Sequence, residues 1–275
     1  MHTILVHTPK GGAGRTVVSA ALAAGFLDLG FNVMLGQVRY RSPPEDAILG
    51  PWLEKLREQS FEKDQLGYLT LLPTTVALDT LVSAAERQYD VAIIDTPVVL
   101  EPHFHDLLER ADLIVCPATC EMAAAAAVEF VATYELWDRA VGLSTGFSNA
   151  KKNTVTRHAF EGLSVLQSDL PSSTEIGSLI TIGEFKGHAQ SLACGWGQPG
   201  YVAYRNAQRS ARQVQLLTSE VYWRLHDKQL VPSWQAEGDA EIAQKARMAA
   251  RLITPMSQRA SHPDKSKPGP SQAEQ

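Results

Sequence analysis

Short apolar runs and stretches of helical period alternate along the first half of the chain. Ile4-Leu5-Val6 predicts a buried strand, the glycine-rich turn Gly11-Gly12-Ala13-Gly14 follows, and residues 17–24 predict the opening turns of a helix. Residues 32–39 predict a second strand. Ser42-Pro43-Pro44-Glu45 then caps a predicted helix running through Trp52, Leu53 and Leu56. A third short strand is expected over residues 69–73, and Leu78, Leu81, Val82 and Ala85 recur at helical spacing after it. Residues 89–97 form an apolar run that ends on the carboxylate of Asp95. Residues 113–117 form another, ahead of an alanine-rich helix from residue 121 to about 137. This alternation predicts an α/β fold: a doubly wound, mostly parallel sheet with helices on both faces and a ligand at the carboxyl ends of its strands.

Beyond Val141 the pattern weakens. Residues 155–163 and 201–225 read as helical, with weakly patterned strands between them and no internal repeat. In the second of these helices Arg205, Arg209 and Arg212 fall in one narrow stripe, and Val214, Leu217, Val221 and Leu225 form another on roughly the opposite side. The apolar stripe is expected to pack on the sheet and the arginines to face outward. From Val231 the character changes again. A body over residues 1–230 and a tail over 231–275 are expected. A helix is predicted over residues 239–253, followed by disorder over 254–275, which are rich in Pro, Ser, Lys and Gln with little to bury.

Composition narrows the class. With 275 residues, 44% hydrophobic and 20% charged, the chain can bury a full core as a soluble globular protein. No signal segment and no apolar run of membrane-spanning length is evident, so a cytoplasmic protein is expected. The three cysteines, Cys116, Cys120 and Cys194, suggest neither a disulfide framework nor a complete metal site. His103 and His105, at i and i+2, read as a solvated loop or helix start. A net charge of −5 argues against a generic polyanion binder, but the charge is unevenly spread. Residues 1–150 carry 10 Lys and Arg against 19 Asp and Glu, whereas residues 151–228 carry 9 against 6.

The chemistry concentrates at the first glycine turn. A strand, a glycine loop and a helix form a phosphate-binding arrangement, because glycine lets the backbone approach an anion and the helix N-terminus offers free N–H groups. Thr16 stands where a P-loop threonine ligates Mg²⁺. The spelling departs from the common P-loop: Pro9 replaces its first glycine, Arg15 replaces its lysine, and Lys10 opens the loop. Lys10-Gly11-Gly12-Ala13-Gly14-Arg15-Thr16 resembles the deviant Walker A motif of the ParA/MinD family. Ile93-Ile94-Asp95-Thr96-Pro97 and the stretch from Ala111 to Glu121 resemble the family's later motifs.

The resemblance covers residues 1 to about 135 and extends to about 228. It implies ATP and Mg²⁺ as ligands, with residues 10–16 on the nucleotide, Thr16 and Asp95 on the metal, and Lys10 and Arg15 as catalytic cations. It further implies a nucleotide-dependent homodimer in which Lys10 reaches the partner's phosphates, and a role in DNA partition or conjugative transfer. A DNA-bound partner protein and non-specific DNA contact through Arg205, Arg209 and Arg212 go with that role, as does association with the nucleoid. The family's paired aspartates after the second strand are replaced here by Gln37 and Arg39, with Tyr40 in place of the proline, and Val17 follows Thr16. Phosphoryl transfer rests on positioning and electrostatics, so these changes put ATP hydrolysis in question and open an alternative: an adaptor with little or no turnover. A membrane switch of the MinD kind is disfavoured, since Ile242, Ala246, Ala249, Ala250 and Ile253 offer too little apolar surface.

Overall fold

The computed structural model describes residues 1–38, 66–71, 88–99, 105–147, 149–172 and 201–226, without the side chains of 68–71, 201–205 and 207. The chain divides into compact units Met1–Pro232 and Ser233–Gln275, and every described residue belongs to the first. Several expectations fall outside the described residues. These are the helices placed near Trp52 and Leu78, the positions Arg39, Tyr40, His103 and Cys194, and the whole tail.

Six strands form one sheet: β1 (His2–Val6), β2 (Val33–Val38), β3 (Leu66–Leu71), β4 (Val91–Asp95), β5 (Leu113–Ala118) and β6 (Ala140–Ser144). Their order is β3-β2-β4-β1-β5-β6, and every neighbouring pair is parallel. The helices are α1 (Arg15–Asp28), α2 (His105–Arg110), α3 (Glu121–Thr133), α4 (Ala150–His158) and α5 (Tyr201–His226). They cover both faces. Ile4, Val6, Leu35, Ile93 and Val115 point to the side of α1 and α5, where Val18, Leu22, Phe26, Val214, Leu217 and Val221 meet them. Leu5, Ile94, Ile114 and Cys116 point the other way, to Leu107 and Leu108 of α2 and to Ala123, Ala127, Phe130 and Val131 of α3. Strands buried on both faces must be apolar throughout, which is why β1, β4 and β5 read as continuous runs.

The elements with weak patterns have particular causes. β3 begins at Leu66, three residues ahead of the expected start, and β6 lies where the sequence placed no strand. Each carries a glycine against an aromatic ring. A Cβ on Gly67 would stand 2.2 Å from the Tyr89 hydroxyl, and one on Gly142 would stand 2.7 Å from the Phe160 ring. α4 starts at Ala150, five residues before the expected helix. The Asn149 side chain caps it by accepting from the Lys152 N–H at 3.0 Å, and the helix ends at His158 although Phe160 and Leu163 are buried beyond it. α3 stops at Thr133, short of 137, because Glu135 turns to a positive φ of 56° and the Leu136 N–H bonds back to Val131 O at 3.0 Å. In α5 the expected apolar stripe is buried, with Val214, Leu217 and Val221 at most 1% exposed and Leu225 packed beside them. Glu220, on the same helix, accepts the N–H groups of Gln167 and Ser168 at 2.7 Å each, which ties α5 to the segment after α4.

Candidate nucleotide-binding site

The site lies where β1 and β4 end side by side, the carboxyl edge expected of a parallel sheet. From β1 the chain runs through His7, Thr8 and Pro9 into the glycine loop. Thr8, fully buried, donates to Pro117 O at 2.7 Å and fixes the loop's root to β5. Gly12 and Gly14 adopt φ of 72° and 88°, a left-handed conformation that side-chain-bearing residues rarely take. Gly14 caps α1, and its carbonyl receives the Val18 N–H at 2.9 Å.

Two threonines hold the far side of the loop. Thr119 donates to Gly12 O at 3.3 Å and Thr145 donates to Ala13 O at 3.1 Å. A Cβ on Gly14 would come within 3.0 Å of the Thr145 hydroxyl. The loop carbonyls are thereby engaged, whereas the N–H groups of Gly11, Gly12, Ala13 and Gly14 make no hydrogen bond among the described residues. Free amides at a helix N-terminus form an anion cradle with a favourable dipole.

Beside the cradle stands Asp95, 3% exposed at the end of β4. Thr16 donates to its Oδ2 at 2.9 Å, and Gln37, its register partner on β2, donates to the same oxygen at 3.3 Å. Oδ1 is buried and makes no hydrogen bond among the described residues, although the Ser19 hydroxyl lies near the carboxylate and helps to lower its pKa. Burial pushes the Asp95 carboxyl up to about 6, against the Thr16 hydrogen bond and the Arg15 charge, which pull it down. An orphaned carboxylate oxygen next to a hydroxyl is the hard-oxygen donor set that Mg²⁺ takes when phosphates complete its shell, so these residues fit the metal.

The two loop cations are placed differently. Lys10 is exposed at the mouth of the loop. Arg15 folds back over it, and its guanidinium donates to Thr8 O and, at 3.3 Å, to Lys10 O. Burial lowers the Arg15 pKa, and Asp95 opposes that shift. On α5, Arg209 is exposed and Arg212 is half-buried, while only the backbone of Arg205 is described. Asp169, whose pKa is raised by burial, feels the charges of Arg157 and Arg209. Cys116 is buried, with its thiol pushed up to about 12, and no group of three His, Cys, Asp or Glu among the described residues could hold a metal.

No protein-family model matches the chain, and no curated protein matches it. Solved structures do. A chain of the MinC:MinD cell division protein complex of Aquifex aeolicus is similar with a TM-score of 0.50 at 16% identity, over 78% of this chain and 96% of that one. Pyrococcus furiosus MinD gives 0.50 at 14% identity, over 78% and 99%. The Mg-ADP complex of MinD from Pyrococcus horikoshii gives 0.50 at 14% identity, over 78% and 96%. The fold is that of the MinD-type P-loop ATPases. Residues 10–16 and Asp95, the positions that carry the sequence resemblance, meet at one edge of this fold. Thr119, Thr145 and the contact between Gln37 and Asp95 are additions that only the folded chain discloses.

Proposed function

We propose that this protein is an ATP-binding switch that dimerises on nucleotide and positions DNA, in plasmid or chromosome partition or in conjugative transfer. The observation that carries the reading is the cradle: four amides at the start of α1 with no hydrogen bond among the described residues, beside a threonine hydroxyl and a buried carboxylate. Phosphates would take the amides of residues 11–14 and the first turn of α1, with Thr16 and Asp95 holding Mg²⁺. The metal supplies charge neutralisation to the phosphates when it is bound. The Mg-ADP bound to Pyrococcus horikoshii MinD supports this ligand class, and the MinC:MinD complex supports a partner-dependent role. A cytoplasmic, nucleoid-associated protein that meets a DNA-bound partner is part of the same reading. No helix among the described residues is long and apolar enough to cross a membrane.

A second reading, an adaptor with little or no ATPase activity, draws on two placements. Gln37 sits against Asp95 with an amide, which cannot act as a carboxylate, and the Arg15 guanidinium is engaged on the loop's own carbonyls. Slow turnover with retained binding follows from both. Calorimetry with Mg-ATP is expected to show saturable binding below millimolar nucleotide. No binding at millimolar Mg-ATP would overturn the switch and leave the nucleotide-free adaptor.

Dimerisation is expected to need Lys10. Arg15 already occupies the inner side of the loop, so an exposed lysine at the mouth is free to reach a second subunit's nucleotide. Lys10→Ala should remain monomeric with ATP by light scattering, and an unchanged dimer would reduce Lys10 to a solvated loop residue. DNA contact is expected through phosphates, which makes it sequence-independent and salt-sensitive. Exposed Arg209, half-buried Arg212 and exposed Lys151 and Lys152 of α4 are the described basic groups that support it. Replacing Arg205, Arg209 and Arg212 with alanine should weaken binding to any duplex about equally and flatten its salt dependence. An unaltered affinity and salt slope would remove α5 from the interface.

A further inference from the structure

A cavity of about 420 Å³ lies behind the root of the loop, apart from the phosphate cradle. His7, Pro9, Val98, Val99, Ala126 and Phe130 line it, with Glu129, Thr133 and Tyr134 completing the wall. Its volume is that of a small-ligand or side-chain pocket.

The wall is an aromatic ladder. His7 and Phe130 rings are 4.4 Å apart between centroids, Phe130 and Tyr134 are 5.1 Å apart, and Tyr134 meets His105 at 5.1 Å. Three of these four rings face the cavity, and rings at such spacings attract a further ring by tilted or offset contact.

His7 adds a polar requirement. The ring is 1% exposed and its Nδ1 lies 2.7 Å from the Thr96 hydroxyl. That hydroxyl has a single proton and donates it to Val6 O at 2.9 Å, so it accepts from Nδ1–H. The tautomer is thereby set, and Nε2 is left as a lone-pair acceptor with no hydrogen-bond partner among the described residues. Burial, reinforced by the Arg15 charge, pushes the His7 pKa down to about 3, so the acceptor persists at neutral pH. An acceptor facing a largely apolar pocket asks for a donor on its guest.

The mouth is wider than one small molecule requires. Met122, Ala126, Glu129 and Thr133 recur at 4-3-4 spacing on one face of α3, and the first of them, 68% exposed, continues the face beyond the cavity. Val99 on the opposite lip is 65% exposed and Tyr134 is 37% exposed. The exposed Glu129 carboxylate adds a negative charge at the wall.

We propose that this cavity is the docking pocket for an aromatic side chain bearing a hydrogen-bond donor, a tryptophan or tyrosine, in a basic segment of a partner protein. The ring stacks on Phe130 and Tyr134, its N–H or O–H reaches Nε2 of His7, and lysines or arginines beside it meet Glu129. Aromatic residues with a polar tip are the usual anchors of protein interfaces. The pocket is built from residues flanking Lys10 and Asp95, so a guest here touches both segments that frame the nucleotide cradle. Docking itself requires no nucleotide.

The test titrates the full chain with the peptide Ac-Lys-Ala-Trp-Ala-Lys-amide, followed by NMR or calorimetry. Matched peptides carry 1-methyltryptophan, which lacks the N–H, or glutamates in place of the lysines. The parent peptide is expected to bind about tenfold tighter than the methylated one, the size of one buried hydrogen bond. It should also bind tighter than the acidic peptide. Ala126→Trp, which fills the cavity from a half-exposed helix position, should abolish binding with the circular dichroism unchanged. Equal affinity for the methylated and unmethylated peptides would overturn the proposal. So would unchanged binding by Ala126→Trp, no binding at millimolar peptide, or free indole binding as tightly as the peptide, which would mark a small-molecule site instead.

Discussion

Asp95→Asn is expected to raise the stability of the nucleotide-free protein and to weaken Mg²⁺-dependent nucleotide binding. The two effects have one cause. Burial holds the Asp95 carboxyl at about 6 in the folded chain, against 3.8 for an unperturbed aspartate. The native state therefore binds this proton more tightly than the unfolded chain does, and the ionised form is a cost of folding. By linkage the stability contribution falls as pH rises from about 4 to about 6 and stays low above that. A shift of roughly two units corresponds to about 3 kcal/mol. Asparagine recovers only part of it, because its N–H₂ takes the place of Oδ1 and has only the Ser19 hydroxyl beside it as an acceptor. A gain of about 1–2 kcal/mol at pH 7 is the net expectation.

The pH profile separates this from a generic gain. At pH 4 the native carboxyl is already protonated, so the variant should melt no higher than the parent and slightly below it, and the difference should turn in the variant's favour as the pH rises through 6. The Thr16 and Gln37 donors persist in both proteins, since asparagine keeps one acceptor oxygen for them. For the ligand the sign reverses. A carboxylate that costs stability when alone is poised to accept a cation, and Mg-ATP affinity should fall at least about tenfold on its loss. The parent's own affinity should decline below about pH 6 for the same reason. A variant no more stable than the parent at pH 7, or a difference independent of pH, would mean that the carboxylate is not strained. Undiminished Mg-ATP binding would place the metal elsewhere.

The cradle was legible in the sequence because its parts are local. Gly12 and Gly14 supply the positive φ of the loop, Thr16 follows within one turn, and Asp95 ends an unbroken apolar strand. The parallel sheet was legible for the same reason: β1, β4 and β5 are buried on both faces and cannot hide among polar residues. β3 and β6 were obscured because Gly67 and Gly142 interrupt the apolar run, and the rings that require those glycines, Tyr89 and Phe160, lie 22 and 18 residues away in sequence. The end of α3 was overrun because Glu135 takes the left-handed turn without the glycine that normally announces it. Thr145 was invisible as part of the site because it reaches Ala13 across 132 positions, a pairing set by the order of strands.

Gly25→Ala is expected to destabilise the protein by about 2–3 kcal/mol, opposite in sign to the usual effect of alanine within a helix. Gly25 lies inside α1, where alanine ordinarily gains about 0.5–1 kcal/mol over glycine. Here α5 crosses directly above it. A Cβ at Gly25 would lie 1.9 Å from the Thr218 hydroxyl oxygen and 2.8 Å from its Cβ. Thr218 has no room to move, being fully buried with its hydroxyl donating to Val214 O at 2.9 Å. The helices must therefore separate, and α1 is the helix whose N-terminus frames the loop. Nucleotide affinity should fall along with stability, although Gly25 is ten residues from Arg15. Thr218→Ala in the same chain removes the 1.9 Å contact with the hydroxyl and the contact with the methyl but leaves the Cβ at 2.8 Å, so the double variant should recover part of the loss. By itself Thr218→Ala leaves a small void and is expected to cost about 1 kcal/mol. The pair is therefore non-additive by more than 1 kcal/mol, as touching residues are. Additive losses in denaturant melts, or a Gly25→Ala protein as stable as the parent, would show that α1 and α5 do not meet at Gly25 and Thr218.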